Sequence, residues 1–332
     1  MGDALIDVTG IGNAIVDVLA KATDDGLANL GLHKGTMALV DRERADALYA
    51  GMGQGVEMSG GSVANSMAGI ASLGGRAAYI GKVAADQLGE VFSHDIRAVG
   101  VRFETAKVPG GDTSTARCLI MVTPDAQRTM NTFLGACLQL GPDDIDERLI
   151  ADSKVVYLEG YLWDPPAAKE AFLKAARIAR RAGRKVALSL SDPFCVERHR
   201  SELRELVHDH VDILFANEHE ACALYEAERV EQAVEQLRGR CELAVVTLSE
   251  RGSLVLAGDQ TYTAPATRVE RVVDTTGAGD LYAAGFLHGY CTGRPPELCA
   301  RLGSLCAAEI ISHFGARPEM SLRQLASQLL DS

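Results

Sequence analysis

From Pro142 onward, apolar segments rich in β-branched residues alternate with amphipathic segments at a regular spacing. The apolar segments predict strands at 155–158, 186–190, 213–216, 244–247 and 253–257. The amphipathic segments predict helices at 166–182, 199–208, 218–225 and 230–240. Strands that alternate with helices in this way form a largely parallel sheet with both faces covered. Ligands of such sheets bind at the carboxyl ends of the strands, so the loops after Leu190, Ala216, Thr247 and Val273 are the first candidates for a site.

The amino-terminal half contains further strands and helices, interrupted by two β-rich segments. Strands are predicted at 6–12 and 77–81, and helices at 41–49, 62–73 and 86–99. Residues 14–40 show little helical periodicity, and 102–135 contain an alternating hairpin. The sequence therefore predicts a main α/β domain formed by residues 1–13, 41–101 and 136–332, and a small β-sheet lid formed by residues 14–40 and 102–135.

Composition excludes several classes of function. The formal charge of −12 argues against a nucleic-acid-binding surface, which needs clustered Lys and Arg. The eight cysteines show no Cys-x-x-Cys spacing, as in a protein with reduced thiols. The amino terminus lacks the basic region of a signal peptide, and no apolar run approaches the roughly 18 residues of a membrane span. We therefore expect a cytoplasmic protein that binds neither nucleic acid nor a membrane.

Residues 272–280 read Val-Val-Asp-Thr-Thr-Gly-Ala-Gly-Asp and precede an amphipathic run. We predict a β-branched strand, a turn with two glycines and the start of a helix. Small residues let backbone N–H groups face an anion, and the helix macrodipole adds roughly half a positive charge there. Asp280 would repel that anion unless it accepts a proton during a reaction, so we predict an anion cradle with Asp280 as a base. The alternative is a tight connection in which Asp280 only stabilises the first helical turn.

Two common nucleotide-binding motifs do not fit. The chain contains no G-x-x-x-x-G-K-[ST], which argues against a P-loop kinase. The segment Gly10-Ile11-Gly12-Asn13-Ala14-Ile15 begins like a dinucleotide fingerprint, but Ile15 occupies the place of the third glycine. A Rossmann dehydrogenase is therefore disfavoured.

Three segments together closely resemble the ribokinase-like (PfkB) kinases of sugars and nucleosides: 274–280, Gly60-Gly61-Ser62-Val63-Ala64-Asn65, and Asn217-Glu218-His219-Glu220. The likeness runs through nearly the whole chain. It implies a three-layer α/β fold with a small β-sheet lid, and ATP-dependent transfer of a phosphoryl group to a primary hydroxyl. By this resemblance Asp280 is the base, and the backbone of Gly277, Ala278 and Gly279 forms the anion hole.

The resemblance also implies cofactor sites. Asn217 and Glu220 would hold Mg²⁺ through water, although the same pair fits a helix capping box. Asp274 and Thr276 match positions whose carbonyls bind a monovalent cation, K⁺, in many relatives. His313 lies in the predicted adenine-side helix, and it also suits a helix C-terminus. The ATP-binding residues implied are Asn217, Thr247, Ser249 (where glycine is usual), Gly252, Gly277, Gly279, Ala308 and His313.

The acceptor side resembles the adenosine kinase branch. Asn13 and Asp17 are four apart, as in that branch, and Asp17 suits two ribose hydroxyls. Arg128 is placed near the phosphates. A flat purine would gain from an apolar slot, whereas a free sugar needs more hydrogen bonds. Residues predicted to contact the acceptor are Asn13, Asp17, Gly61, Ser62, Asn65, Arg128, Phe133, Leu134, Ala136 and Leu162, the last flanked by Tyr161 and Trp163, which also suit a core.

These observations predict an ATP-dependent kinase for the 5′ hydroxyl of a nucleoside, adenosine giving AMP. The alternative within the family is a sugar kinase for ribose, fructose or a 2-keto-3-deoxy sugar acid. A second alternative is a regulator that binds its ligand without catalysis, which the intact Asp280, Gly277 and Gly279 disfavour. The sequence leaves open whether the chain is a monomer or a homodimer.

Overall fold

The computed structural model describes residues 5–125 and 127–330, and in that part fourteen strands form two sheets. In chain order the strands are β1 (Ile6–Ile11), β2 (Ile15–Lys21), β3 (Met37–Leu39), β4 (Gly55–Gly60), β5 (Ala77–Ile80), β6 (Arg102–Phe103), β7 (Ala116–Val122), β8 (Arg128–Phe133), β9 (Ser153–Glu159), β10 (Lys185–Ser189), β11 (Ile213–Asn217), β12 (Leu243–Thr247), β13 (Ser253–Ala257) and β14 (Gln260–Ala264). The helices are α1 (Asp24–Asn29), α2 (Arg42–Gly51), α3 (Ser62–Ser72), α4 (Gln87–Ala98), α5 (Glu147–Ala151), α6 (Pro166–Arg181), α7 (Pro193–His210), α8 (Glu218–Tyr225), α9 (Val230–Leu237), α10 (Ala278–Cys291), α11 (Pro296–Ile310), α12 (Leu322–Leu325) and α13 (Ser327–Leu330).

The large sheet has nine strands in the order β14-β13-β12-β11-β10-β9-β1-β5-β6. All neighbours from β12 to β6 run parallel, and β13 pairs antiparallel with both β12 and β14. The predicted α/β fold with a mostly parallel sheet is therefore confirmed. The carboxyl ends of the parallel strands lie along one edge of the sheet, where the predicted loops meet.

The large sheet is buried on both faces, which makes three layers. Successive side chains of a strand point to opposite faces. Tyr157 accordingly packs with α3, α4, α10 and α11, whereas its neighbour Leu158 packs with α5 to α9. This explains why the central strands are apolar without alternation. No helix in the described part combines the length and apolar character needed to cross a bilayer.

The small sheet has five strands in the order β3-β8-β7-β2-β4. One face carries Val18, Leu119 and Met121, which pack against α1 and α2. The opposite face carries Asp17, because Asp17 pairs with Cys118 and Met58 in register. The two sheets are directly joined: β1 ends at Ile11 and β2 begins at Ile15.

Three segments differ from the sequence prediction. Gly55–Gly60, assigned to the main domain, pairs with β2 in the small sheet, and Arg102–Phe103, assigned to the lid, pairs with β5 in the large sheet. The strand predicted at Val272–Val273 does not form: Val272 is exposed, and the N–H of Val273 bonds the carbonyl of Ile311 at the end of α11. Local β-propensity cannot distinguish an extended loop from a strand that has no partner.

Candidate active site

The first turn of α10 carries the residues of the predicted anion cradle. Gly277 precedes the helix with φ 77°, and a Cβ there would lie 3.0 Å from the Cβ of Ala316, so this turn requires glycine. Within the described part, no partner is found for the N–H groups of Gly279 and Asp280, and nothing lies within 4 Å of a Cβ built on Gly279. The turn therefore presents unpaired donors at the positive end of a helix.

Asp280 is held by α3 at this turn. Ser62 Oγ donates to Oδ1 at 2.6 Å, and Asn65 Nδ2 donates to Oδ2 at 2.9 Å. Ser66 Oγ donates to the main-chain carbonyl of Asp280 at 2.9 Å, which fixes the backbone as well. Burial raises the pKa of Asp280, against the two hydrogen bonds and the charge of Arg317, which lower it. The carboxylate is thus oriented at both oxygens.

A cavity of about 90 Å³ adjoins Asp280 at the carboxyl ends of β10, β11 and β12. The loops predicted after Leu190, Ala216 and Thr247 therefore do converge on one place. Ser191 in the first of these loops has φ 72°, a conformation that costs energy for a residue with a side chain. The residues that line the cavity include Ser62, Ser189, Ser191, Asn217, Glu220, Thr247, Gly279 and Asp280.

Asn217 and Glu220 form a capping box at the start of α8. Asn217 Oδ1 accepts from the N–H of Glu220 at 2.9 Å, and the Glu220 carboxylate accepts from Asn217 N at 2.9 Å and Nδ2 at 2.6 Å. Burial raises the pKa of Glu220 to about 7. No cluster of three or more His, Cys, Asp or Glu side chains suited to a metal occurs in the described residues. Each carboxylate oxygen keeps a lone pair, so the pair suits an ion bridged by water.

Asp17 faces the same region from the small sheet. It is buried, and a Cβ on Gly60 would lie 2.2 Å from Oδ2, so the glycine gives the carboxylate its space. No side chain or backbone group in the described part donates a hydrogen bond to Asp17. Burial raises its pKa to about 7, with the charge of Arg317 opposing and that of Asp280 adding to the shift. A buried carboxylate without donors is available to a ligand.

Asn13 is positioned by a residue that the sequence reasoning missed. Its Nδ2 donates to Glu159 Oε1 at 2.7 Å, and Glu159 Oε2 accepts from the N–H of Val63 at 3.1 Å. Glu159 is fully buried at the end of β9, and burial raises its pKa to about 7. Its only sequence signal was its place at the carboxyl end of a predicted strand.

Arg128 connects the small sheet with the loop before α10. Its Nε lies 3.2 Å from Asp274 Oδ1, and its Nη2 donates to Thr275 Oγ1 at 3.0 Å. The Asp274 carboxylate also accepts from Thr276 N, Thr276 Oγ1 and Gly315 N. The carbonyls of Asp274 and Thr276 have no partner in the described residues, so they are free to face a cation.

The apolar residues predicted for the acceptor slot mostly lie elsewhere. Phe133 pairs with Arg117 and packs on the α1–α2 face, opposite to Asp17, because the register places odd-numbered β8 residues there. Ala136 is fully buried beside Ala84, and Leu162 is a core residue of the large sheet. Contact of these three side chains with the acceptor stays a prediction. Leu134, before the turn Gly135–Gln139, stays partly exposed.

The flanking aromatics are also structural. Tyr161 Oη donates to the carbonyl of Ser191 at 3.3 Å, and Trp163 Nε1 donates to Glu202 at 2.8 Å. The face beside Asp17 instead carries apolar side chains that sequence reasoning did not select: Leu19, Met58, Cys118, Ile120 and Met130.

On the predicted ATP side, Ser249 has φ 53°, which explains why glycine is usual at this position. Gly252 has φ 91°, and a Cβ there would lie 2.0 Å from the Ala264 carbonyl, so it shapes the β12–β13 connection. His313 Nε2 lies 3.1 Å from Glu309 Oε1 in a mostly buried pair, which gives it a structural partner. Ala308 is buried on α11.

Comparisons with known proteins agree with this geometry. The sequence pattern of the pfkB family carbohydrate kinases matches residues 38–322. The structure of adenosine kinase from Sinorhizobium meliloti is 56% identical, covers 98% of this chain and 99% of its own, and superimposes with a TM-score of 0.93. A probable sugar kinase from Rhizobium etli is 50% identical with 98% of both chains covered and a TM-score of 0.92. The cytidine kinase of Thermococcus kodakarensis is 30% identical over 286 residues, 84% of this chain and 97% of the relative. The chain therefore belongs to the pfkB family of carbohydrate kinases and has its ribokinase-like fold.

Proposed function

We propose that this protein transfers the γ-phosphoryl group of ATP to a primary hydroxyl, with Asp280 as the general base. The observation that carries the proposal is the carboxylate of Asp280, oriented at both oxygens by Ser62 and Asn65 beside the unpaired N–H groups of Gly279 and Asp280. The carboxylate accepts the proton of the attacking hydroxyl, and the N–H groups stabilise the charge on the transferred group. Phosphoryl transfer depends on such positioning and charge stabilisation more than on covalent help.

Mg²⁺ and K⁺ are part of this proposal. Mg²⁺ would neutralise phosphate charge, and Asn217 and Glu220 would hold it through water, since their carboxylate and amide already bond each other. K⁺ would lie against the free carbonyls of Asp274 and Thr276. Arg128 bonds Asp274 and Thr275 in the loop before α10 and would contact the phosphates.

We further propose a nucleoside as acceptor, adenosine in particular, phosphorylated at its 5′ hydroxyl. Asp17 is a carboxylate to which no group among the described residues donates, and it suits two neighbouring ribose hydroxyls. Asn65 Oδ1 is buried, has no partner in that same part of the chain and would accept from the ligand. Apolar side chains beside Asp17, such as Met58 and Ile120, would contact a purine ring, and Phe194, 70% exposed after β10, offers an aromatic surface.

A sugar kinase is the second candidate, because one highly similar structure is described as a probable sugar kinase. The small sheet would act as a lid in either case, since it carries Asp17 while Asp280 lies on α10, which packs against the large sheet. A cytoplasmic location also belongs to the proposal, and it rests on the eight free cysteines.

The substitution Asp280→Asn tests the reaction. We expect kcat to fall by about 10²–10⁴-fold with ATP binding retained, because the amide cannot accept the proton. The matched control is Asp146→Asn, which alters a carboxylate that caps α5 and does not line the cavity beside Asp280. Near wild-type turnover of Asp280→Asn would refute the assignment of the base.

A panel of adenosine, cytidine, other nucleosides and free sugars, scored by ATP consumption, tests the acceptor. We expect the highest kcat/KM with adenosine. Turnover of free sugars alone would refute the nucleoside proposal and leave the phosphoryl-transfer proposal intact.

A further inference from the structure

Arg317 connects the carboxyl-terminal segment with the start of α3. Its Nε donates to the Ser59 carbonyl at 3.0 Å, Nη1 to the Ala64 carbonyl at 2.7 Å and Nη2 to Ser59 Oγ at 3.0 Å. Both acceptor residues are buried. Three bonds from one planar group to one short segment fix the position of that segment, which a lysine cannot do in the same way.

The segment 59–65 carries the contacts of both carboxylates at the site. Gly60 leaves the space that Asp17 occupies, and Ser62 and Asn65 bond Asp280. Any movement of the segment therefore changes the surroundings of Asp17 and Asp280 together. The guanidinium of Arg317 bonds the segment at its first residue and near its last.

The charges around the two carboxylates are mostly negative. Arg317 is the cation whose charge lowers the pKa of both Asp17 and Asp280. Burial lowers the pKa of Arg317 itself to about 10, so the guanidinium stays protonated at neutral pH. Arg128 bonds Asp274 instead. The titratable groups that interact electrostatically with Asp17, Asp280 or Arg317 are Asp17 on β2, Tyr79 on β5, Asp95 on α4, Cys118 on β7, Tyr157 and Glu159 on β9, Tyr161 after β9, Glu220 on α8 and Asp280 on α10.

We propose that Arg317 is a positioning residue for phosphoryl transfer, which fixes the segment 59–65 and supplies a positive charge that favours the ionised forms of Asp17 and Asp280. The proposal rests on the function proposed above. It assigns two separable effects to one side chain. The geometric effect depends on the planar guanidinium and is independent of pH, whereas the charge effect depends only on a cation at this place.

Removing the cation raises the pKa of both carboxylates. The base is active when it is unprotonated, so the acid limb of the pH profile of kcat/KM moves to higher pH. A shift of about one unit is a tenfold loss of kcat/KM on the acid side and little loss at high pH. A merely structural role of Arg317 would lower activity by the same factor at every pH.

The experiment compares Arg317→Gln and Arg317→Lys with wild type from about pH 6 to pH 9, with the acceptor that wild type uses best. We expect the acid limb of Arg317→Gln to move up by about one unit, and that of Arg317→Lys to stay in place while its kcat falls by about tenfold. The control is Arg184→Gln, which removes an arginine that also bonds a main-chain carbonyl, that of Ala151, at the amino-terminal edge of the sheet. Its profile should match wild type.

A second readout does not depend on turnover. Carboxyl ¹³C titration, with the Asp280 signal assigned from Asp280→Asn, should report a higher pKa for Asp280 in Arg317→Gln. A profile of Arg317→Gln that superimposes on wild type after scaling overturns the charge effect, and an unchanged kcat of Arg317→Lys overturns the geometric one. If Arg317→Gln does not fold, Arg317→Lys still tests the geometry, and the carboxyl titration of Arg317→Met, which also removes the cation, tests the charge. Wild type that phosphorylates no compound of the panel contradicts the proposed function instead, and the carboxyl titration then still decides the role of Arg317.

Discussion

Gly61 is a residue at which a single added methyl group should damage the site. It precedes α3 with φ 95° and ψ 135°, a conformation open only to glycine without strain. A Cβ at this position would lie 2.2 Å from the main-chain carbonyl oxygen of Asn13. Because that neighbour is backbone, it cannot turn away as a flexible side chain would.

The losses of stability and activity expected for Gly61→Ala follow from the strained dihedral angles and from the overlap with the carbonyl oxygen. The unfavourable dihedral angles cost about 1–3 kcal/mol, and the overlap with the carbonyl costs a further 1–3 kcal/mol or so. Relief of the overlap needs a shift of roughly 1 Å, which displaces Asn13 or the start of α3 with Ser62 and Asn65. A displacement of that size in a catalytic arrangement lowers kcat/KM by about 10²-fold.

The matched control is Gly239→Ala. Gly239 also has a positive φ, 72°, but no atom lies within 4 Å of its Cβ position. Urea unfolding should therefore show a loss of about 1–2 kcal/mol for Gly239→Ala and a clearly larger loss for Gly61→Ala. Steady-state kinetics should show a loss of activity for Gly61→Ala alone. Equal stability losses, or a kcat/KM of Gly61→Ala within threefold of wild type, would refute the steric argument.

Three further substitutions test separate parts of the site. Asp17→Asn should raise the acceptor KM more than tenfold with little change in the KM for ATP, and it should raise the free energy of unfolding at pH 8 by about 1–3 kcal/mol. The variant should be more stable at pH 8 because a carboxyl whose pKa is raised on folding destabilises the fold as pH rises from about 4 to 7. The gain in the free energy of unfolding should therefore vanish near pH 4. Arg128→Ala should lower kcat by about 10²-fold, whereas Arg117→Ala on the opposite face of the small sheet should not; equal effects would contradict a role at the phosphates. Asn217→Ala should cost about 1 kcal/mol of stability through the lost cap and raise the Mg²⁺ concentration needed for half-maximal rate; an unchanged Mg²⁺ requirement would assign Asn217 to the cap alone.

The parallel sheet and the glycine turn at the start of α10 could be predicted because both depend on local patterns. Apolar runs between amphipathic segments specify buried strands, and the glycines at 277 and 279 specify a turn into a helix. Phe133 illustrates what local patterns leave out. Its face is set by the register of β7 against β8, and a shift of one residue would exchange the two faces.

Glu159 and Arg317 were missed for a different reason. Each acts through partners about 100 to 260 residues away in the chain, Val63 for one and Ser59 for the other. Neither belongs to a short motif, so only the tertiary contacts identify them. His313, by contrast, had a helix-terminal alternative in the sequence, and the structure shows it bonded to the side-chain carboxylate of Glu309 near the end of α11.

The direct passage from β1 to β2 has a consequence for the range of acceptors. Residues 12–14 carry the chain from the large sheet to the small one, so Asp17 lies on the small sheet while Asp280 lies on α10, which packs against the large one. The distance between these two carboxylates therefore depends on how the two sheets are oriented relative to each other. Under the roles proposed above for Asp17 and Asp280, we expect a longer acceptor to need a wider angle between the sheets and a shorter acceptor a narrower one. Such a change of angle would let one fold accept both the nucleosides and the sugars after which the relatives are named.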